Sequence, residues 1–333
     1  MRASVPMATA ARPGYVVCND GIATLSTLSS KEWLLQMPNG AYTTARTCAG
    51  ARRLFEWVTH VERTASSATS MLTDPSSPVA PIPAALPSLL AGLGSAERLR
   101  PRLDATVSAA VREFHASIGA EGELKVTVLV HWMAASACAA QPTPAADCTT
   151  SSVACHIATL PPLPSAPVKV EVRGAPRSNA AAKDSSWVAE RAPLEALLPK
   201  DFNELLLADE GGAILEGSQT NFYAVHGGTV YTAGDGVLAG TVRRLLLEVC
   251  EREGIPVNLT APKLSEASSW EGALISSTSR LMLPIDELFV PEEGKPSVQA
   301  DKVATFDIGP GSLAARLREL VQGEVEAHSS DVI

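Results

Sequence analysis

Glu204-Leu205-Leu206-Leu207, Ala213-Ile214-Leu215, Phe222-Tyr223-Ala224-Val225 and Thr229-Val230-Tyr231 are four apolar runs, each the length of one strand. They are parted by Gly211-Gly212 and Gly227-Gly228 and followed by Gly234-Asp235-Gly236. Short apolar runs with glycine turns between them predict strands in an antiparallel meander. Directly afterwards, Thr241 to Glu253 places Val242, Leu245, Leu246, Val249 and Cys250 on one face of a helix, which ends at Gly254 before Pro256. Val168 to Val172 adds a strand upstream. Ala273 to Ser277 adds another downstream, and Leu313 to Val321 a closing helix.

Toward the N-terminus, residues 14 to 46 alternate apolar runs with Asn19-Asp20-Gly21 and Pro38-Asn39-Gly40, which predicts hairpin strands. Ala49 to Met71 turns to helical spacing (Leu54, Val58, Val61). Asp74 to Gly94, rich in Pro, Ser and Ala, predicts a loop with one short helical turn. Arg98 to Ile118 reads as a second amphipathic helix and Leu124 to Trp132 as a buried strand. Ala139 to Pro167 has almost no charge and no period, and the domain boundary is expected there. The expected class is α+β: a smaller N-terminal α/β domain (1–150), a linker (151–167) and a larger C-terminal domain (168–333) with a mostly antiparallel sheet or pseudo-barrel.

A chain of 333 residues with 46% apolar composition has material for two cores. Its net charge of −9, from 27 basic and 36 acidic residues, offers nothing to a polyanion such as nucleic acid. Cys18, Cys48, Cys138, Cys148, Cys155 and Cys250 contain no CxxC pair, so neither a metal site nor a secreted disulfide framework is expected. No apolar run is long enough to span a membrane. A cytoplasmic location is expected, with a short segment carrying Arg2 and Arg12 as a faint organellar signal.

Three features can carry chemistry. Gly240-Thr241-Val242 opens a helix, where free N–H groups and the helix dipole favour a phosphate. Lys183 follows three alanines, which leave room beside its amine for a flat cofactor. Glu216 ends a strand, and a carboxylate facing a pyridine nitrogen makes that ring an electron sink. Arg63, on the first helix, can match phosphate oxygens with its fork, and Thr278 and Ser279 can add hydroxyl and N–H contacts. An amine, a carboxylate and an anion site are the groups that tether, activate and anchor pyridoxal 5'-phosphate. Each has a plainer alternative: an exposed lysine, a turn glutamate, a simple helix cap.

In order along the chain, Asn203 to Leu207, Glu216-Gly217-Ser218-Gln219-Thr220-Asn221-Phe222 and Val237-Leu238-Ala239-Gly240-Thr241-Val242-Arg243 resemble the signature of the class IV, or fold-type IV, pyridoxal phosphate-dependent aminotransferases. That family includes branched-chain aminotransferase, D-amino acid aminotransferase and aminodeoxychorismate lyase. The resemblance runs from about Gly40 to Glu287. It implies that Lys183 is the Schiff-base and catalytic residue, that Glu216 faces the pyridine nitrogen, and that Arg63, in His60-Val61-Glu62-Arg63 with Ser67, binds the phosphate. Thr241, Val242, Thr278 and Ser279 complete the phosphate contacts, and Pro284 stands at the family's distance from them. Gly40 to Arg46 is similar to the family strand that sends an aromatic and an arginine to the substrate pocket, which gives those roles to Tyr42 and Arg46.

The expected activity is transfer of an amino group between an amino acid and a 2-oxo acid by a homodimer. A lyase on the same scaffold and a non-catalytic binding protein are the alternatives. Several positions depart from the family. Thr241 and Val242 stand in transposed order, His131-Trp132 replaces an Arg-Gly, the Arg-x-His carboxylate trap is absent, and Trp187 and Val188 stand where branched-chain enzymes carry a tyrosine.

Overall fold

The computed structural model describes residues 14–119, 121–139, 149–291 and 300–331. The basic segment before Gly14 lies outside them, as do residues 140–148 of the low-charge stretch. In chain order the first part contains β1 (Tyr15–Asn19), β2 (Ile22–Ser26), α1 (Ser30–Gln36), β3 (Gly40–Cys48), β4 (Arg53–Phe55), α2 (Trp57–Thr73), α3 (Leu86–Leu93), α4 (Ala96–Ser117), β5 (Leu124–Trp132), α5 (Ala135–Ala139) and β6 (Ser151–Thr159). The second contains β7 (Lys169–Val172), α6 (Trp187–Glu190), α7 (Ala192–Glu195), β8 (Glu204–Ala208), β9 (Ile214–Gly217), β10 (Asn221–His226), β11 (Thr229–Tyr231), α8 (Thr241–Arg252) and β12 (Val257–Asn258). It closes with β13 (Gly272–Ser277), β14 (Leu281–Pro284), β15 (Glu287–Val290), β16 (Asp301–Thr305), α9 (Leu313–Gly323) and β17 (Ser329–Asp331). The class is α+β, as the sequence predicts.

A seven-stranded sheet runs β17-β4-β3-β5-β6-β1-β2. α2, α3 and α4 cover one of its faces, and α4 buries Leu99, Leu103, Val107, Val111 and Phe114 at helical spacing against Val16, Val126 and Ile157. Each such side chain contributes about 1.5–3 kcal/mol by leaving water. A ten-stranded sheet runs β12-β11-β10-β9-β8-β7-β15-β16, with β13 and β14 joined through β10. Most of its pairs are antiparallel, but β7 lies parallel to both β8 and β15. α8 and α9 pack on one face around Tyr223, Leu246, Leu274 and Leu317, and a second core under the other contains Phe222, Ile275 and Leu283.

Four local expectations are corrected. Residues 30–36, read within a run of strands, form α1, closed by a capping box in which Ser29 N–H donates to the Glu32 carboxylate at 2.8 Å. The Pro- and Ala-rich loop contains the two-turn helix α3, whose first turn tolerates Pro87 because that position needs no N–H donor. Helical spacing from residue 49 begins instead with β4, and the helix starts at Trp57. Residues 151–159 of the expected linker form β6, paired with β5 along nine residues and with β1 on its other side. A strand covered on both faces shows no alternation, so periodicity misses it. The C-terminal β17 returns to pair with β4, so the chain's last described strand belongs to the first sheet.

Candidate functional site

The connection after β7, residues 174–186, crosses to the edge of β3 and is stitched there by main-chain bonds. Tyr42 N–H donates to the Lys183 carbonyl at 2.9 Å and Ser185 N–H to the Gly40 carbonyl at 3.0 Å, while Lys183 N–H donates to Ser67 Oγ of α2 at 3.0 Å. Lys183 is thereby fixed between the two sheets, at a cavity of about 230 Å³. Its Nζ lies 4.8 Å from the centre of the Tyr42 ring. Burial lowers the Lys183 amine to about 8, helped by Arg63, Arg177 and Arg191 and opposed by Tyr42. Burial would raise the Tyr42 phenol, but Lys183, Arg191 and Arg177 bring it down to about 8.

The tight β9–β10 hairpin, closed by Gly217 N–H donating to the Thr220 carbonyl at 2.7 Å, sets Glu216 opposite Asn221 and places Glu216 in the same cavity. Arg177 reaches one Glu216 oxygen with Nε at 2.8 Å and Nη2 at 2.7 Å. Leu238 N–H donates to the other at 3.1 Å, and the Arg177 guanidinium lies 5.5 Å from the Trp187 ring.

At the far side α8 opens on Gly240, and no side chain caps its first turn. The Thr241 hydroxyl meets that of Thr278 at 2.9 Å, which joins the helix start to the turn between β13 and β14. Arg63 extends from α2, where its Nη2 donates to Thr43 Oγ1 at 2.8 Å, and its buried Nε has no partner among the described residues. His60 sits beneath it, 2.7 Å from Thr43 Oγ1; burial, then Arg63 and Lys183, holds its imidazole well below 6.5 and so neutral.

Tyr42, Arg63, Lys183, Glu216, Thr241, Val242, Thr278 and Ser279 therefore line one cavity. Arg46 does not. Two residues further along β3 than Thr44, it lines a second cavity with Glu123, Leu160 and Leu281. Arg243 of the Gly-x-x-Arg segment turns away and donates to the Ala233 carbonyl at 2.7 Å. Sequence reading passes over Arg177, Arg191 and Lys125. Arg177 and Arg191 stand in irregular or single-turn segments with no period to mark them, and Lys125 is one lysine in a strand.

Solved structures share this architecture. The branched-chain aminotransferase of Thermoproteus uzoniensis, solved with norvaline, is 19% identical, with a TM-score of 0.64 over 96% of this chain and 99% of that one. The T.th. branched-chain amino acid aminotransferase, solved with pyridoxamine 5'-phosphate, is 17% identical, with a TM-score of 0.65 over 97% and 99%. That of Escherichia coli is 14% identical, with a TM-score of 0.64 over 97% and 100%. At these identities the likeness is one of fold. No curated protein sequence matches this chain. The sequence profile of amino-transferase class IV does match, over residues 40–288, and the chain belongs to that family.

Proposed function

We propose that this protein is a pyridoxal 5'-phosphate-dependent aminotransferase that moves an amino group between an amino acid and a 2-oxo acid. The observation that carries the proposal is the convergence of Lys183, Glu216, Arg63 and the start of α8 on one cavity. The residues fit the cofactor. The unpartnered Arg63 Nε and the uncapped N–H groups at Thr241 and Val242 suit a phosphate, and Glu216 suits a pyridine nitrogen. Lys183 would hold the cofactor covalently through its amine. When bound, the cofactor supplies an electron sink for the bond at the substrate α-carbon.

The chain's own residues supply the rest. Lys183, with its amine lowered to about 8, can take a proton from the substrate α-carbon and return one near neutral pH. Glu216, fixed by Arg177 and Leu238 N–H, presents a carboxylate that does not reorient during the reaction. Trp187, anchored by Nε1 donating to the Ser218 carbonyl at 2.7 Å, walls the cavity beside Arg177 and limits water. A homodimer belongs to the same proposal through the family resemblance, and sedimentation at the monomer mass of 34.8 kDa would remove it.

The direct test is Lys183→Ala in the full chain. Visible absorbance of purified protein given pyridoxal phosphate should disappear together with turnover, while circular dichroism stays unchanged. Persistent turnover takes Lys183 out of the reaction.

A further inference from the structure

The cavity holds more positive charge than one phosphate explains. Among the described residues, seven basic side chains line it (Lys31, Arg63, Lys125, Arg177, Lys183, Arg191, Arg280) against two carboxylates, Glu195 and Glu216. Arg177 is paired with Glu216 at 2.7 Å, and Arg280 with Glu204, just outside the lining, at 3.0 Å. Arg63 and Lys183 serve the cofactor in the proposed function. Lys31 and Arg191 then share the single carboxylate of Glu195, at 2.5 and 2.8 Å. Lys125 has no carboxylate partner among the described residues. In a chain of net charge −9 this local excess is unfavourable unless an anion answers it.

Arg191 is the focus of that excess. It is only 7% exposed, its Nε donates to Glu195 at 2.8 Å, and its charge helps to lower the Tyr42 phenol, which lines the same cavity. Its Nη1 is buried without a hydrogen-bond partner among the described residues. Lys125, on β5, lines the same cavity, and its amine is lowered by burial and then by the field of Arg191. Thr44 and Thr127, opposite each other on β3 and β5, also line the cavity. Lys183 Nζ lies 4.8 Å from the centre of the Tyr42 ring, and the charges of Lys183 and Arg191 together lower its phenol.

We propose that Arg191, supported by Lys125, is the carboxylate-recognising and specificity-determining residue of this cavity, and that its free Nη1 takes a carboxylate of the amino substrate. The inference rests on the aminotransferase reading of the same site. An amino acid whose nitrogen sits where the Lys183 amine lies can bring either its α-carboxylate or a side-chain carboxylate to Arg191. Both sources share one chemistry, and the test separates them.

Full-length protein with excess pyridoxal phosphate is titrated calorimetrically with valerate, glutarate and 1-pentanol. Arg191→Met should weaken carboxylate binding at least about thirtyfold, and Lys125→Met, which breaks no ion pair, at least about fivefold, with pentanol unaffected. Loss for valerate and glutarate together assigns the α-carboxylate; loss for glutarate alone assigns a side-chain carboxylate. Carboxylates that fail to bind the wild type, or that bind both variants unchanged, overturn the proposal. Turnover of amino acids is measured separately, with KM expected to rise more than kcat falls. Arg191-dependent glutarate binding without any transamination would sink the aminotransferase reading and leave the carboxylate site standing. Transamination with KM untouched in both variants would do the reverse.

Discussion

Arg177 holds Glu216 by two nitrogens on a single carboxylate oxygen, and the side chains are only 9% and 4% exposed. The second oxygen is occupied by Leu238 N–H, so the carboxylate is fixed in both position and rotation. The segment that supplies this N–H, Leu238, leads into Gly240 and the start of α8, so the groups expected at opposite ends of the cofactor are set by one stretch of five residues.

Glu216→Gln tests what that fixed charge does. The amide preserves shape and can accept from Arg177, but its NH2 then faces the Leu238 N–H, donor against donor. We expect retention of pyridoxal phosphate, a single-turnover rate lower by about a hundredfold or more, and a loss of up to about 3 kcal/mol in urea denaturation, because a buried guanidinium loses its counter-charge. The visible absorbance of the purified variant reads the first, stopped-flow absorbance the second and urea denaturation the third. An unchanged single-turnover rate removes Glu216 from the chemistry.

The Lys183 amine gives a pH dependence of definite sign. Its value of about 8 in the folded chain lies below the ordinary 10.5, since burial and three arginines disfavour the charged form. The unfavourable contribution of that charge to stability is therefore fully present below about pH 8 and is relieved as pH rises toward 10.5. Capture of pyridoxal phosphate by the apoprotein needs the neutral amine, so its rate should rise to about pH 8 and then level. Tyr42 opposes the shift, so Tyr42→Phe should move the break to lower pH. A capture rate that keeps climbing through about pH 10 contradicts the buried amine.

Much of this was legible in sequence where local rules govern. The four short runs from Glu204 to Tyr231 form strands because turns with glycine follow each of them. α8 is helical over nearly the whole predicted span because its apolar face has the right period. Sequence reading misses β6 because a strand buried on both sides carries no period. It misses α1 although Ser29 and Glu32 spell a capping box, because the flanking hairpin pattern reads straight through it. The cavity residues divide in the same way. Lys183, Glu216 and Thr241 sit in recognisable segments, whereas Arg177 and Arg191 owe their roles to a fold that brings them to Glu216 and Tyr42. Tyr42 and Arg46 are four residues apart on one strand, and only the first reaches the cavity, since the strand outruns its edge.

Whether main chain or side chain holds the phosphate can be decided at Gly240 and Thr241. Gly240 has extended backbone, so its need is spatial: an added Cβ would stand 2.0 Å from Asn221 Oδ1. Asn221 is itself committed, with Nδ2 donating to the Leu238 carbonyl at 2.8 Å. An alanine must therefore push Asn221 off that bond and tilt the Thr241 and Val242 N–H groups away from the cavity. Gly240→Ala should weaken pyridoxal phosphate about five- to 150-fold, corresponding to one buried polar bond of about 1–3 kcal/mol. Thr241→Ala leaves the backbone in place and removes only the hydroxyl that meets Thr278, so its affinity should fall by less. Binding by N–H groups does not depend on the side chains, so the transposition of threonine and valine in this loop should leave such a site intact. Titration of both apoproteins with the cofactor gives the order, and a larger loss at Thr241 than at Gly240 would show that a side-chain hydroxyl, not the helix start, carries the anion.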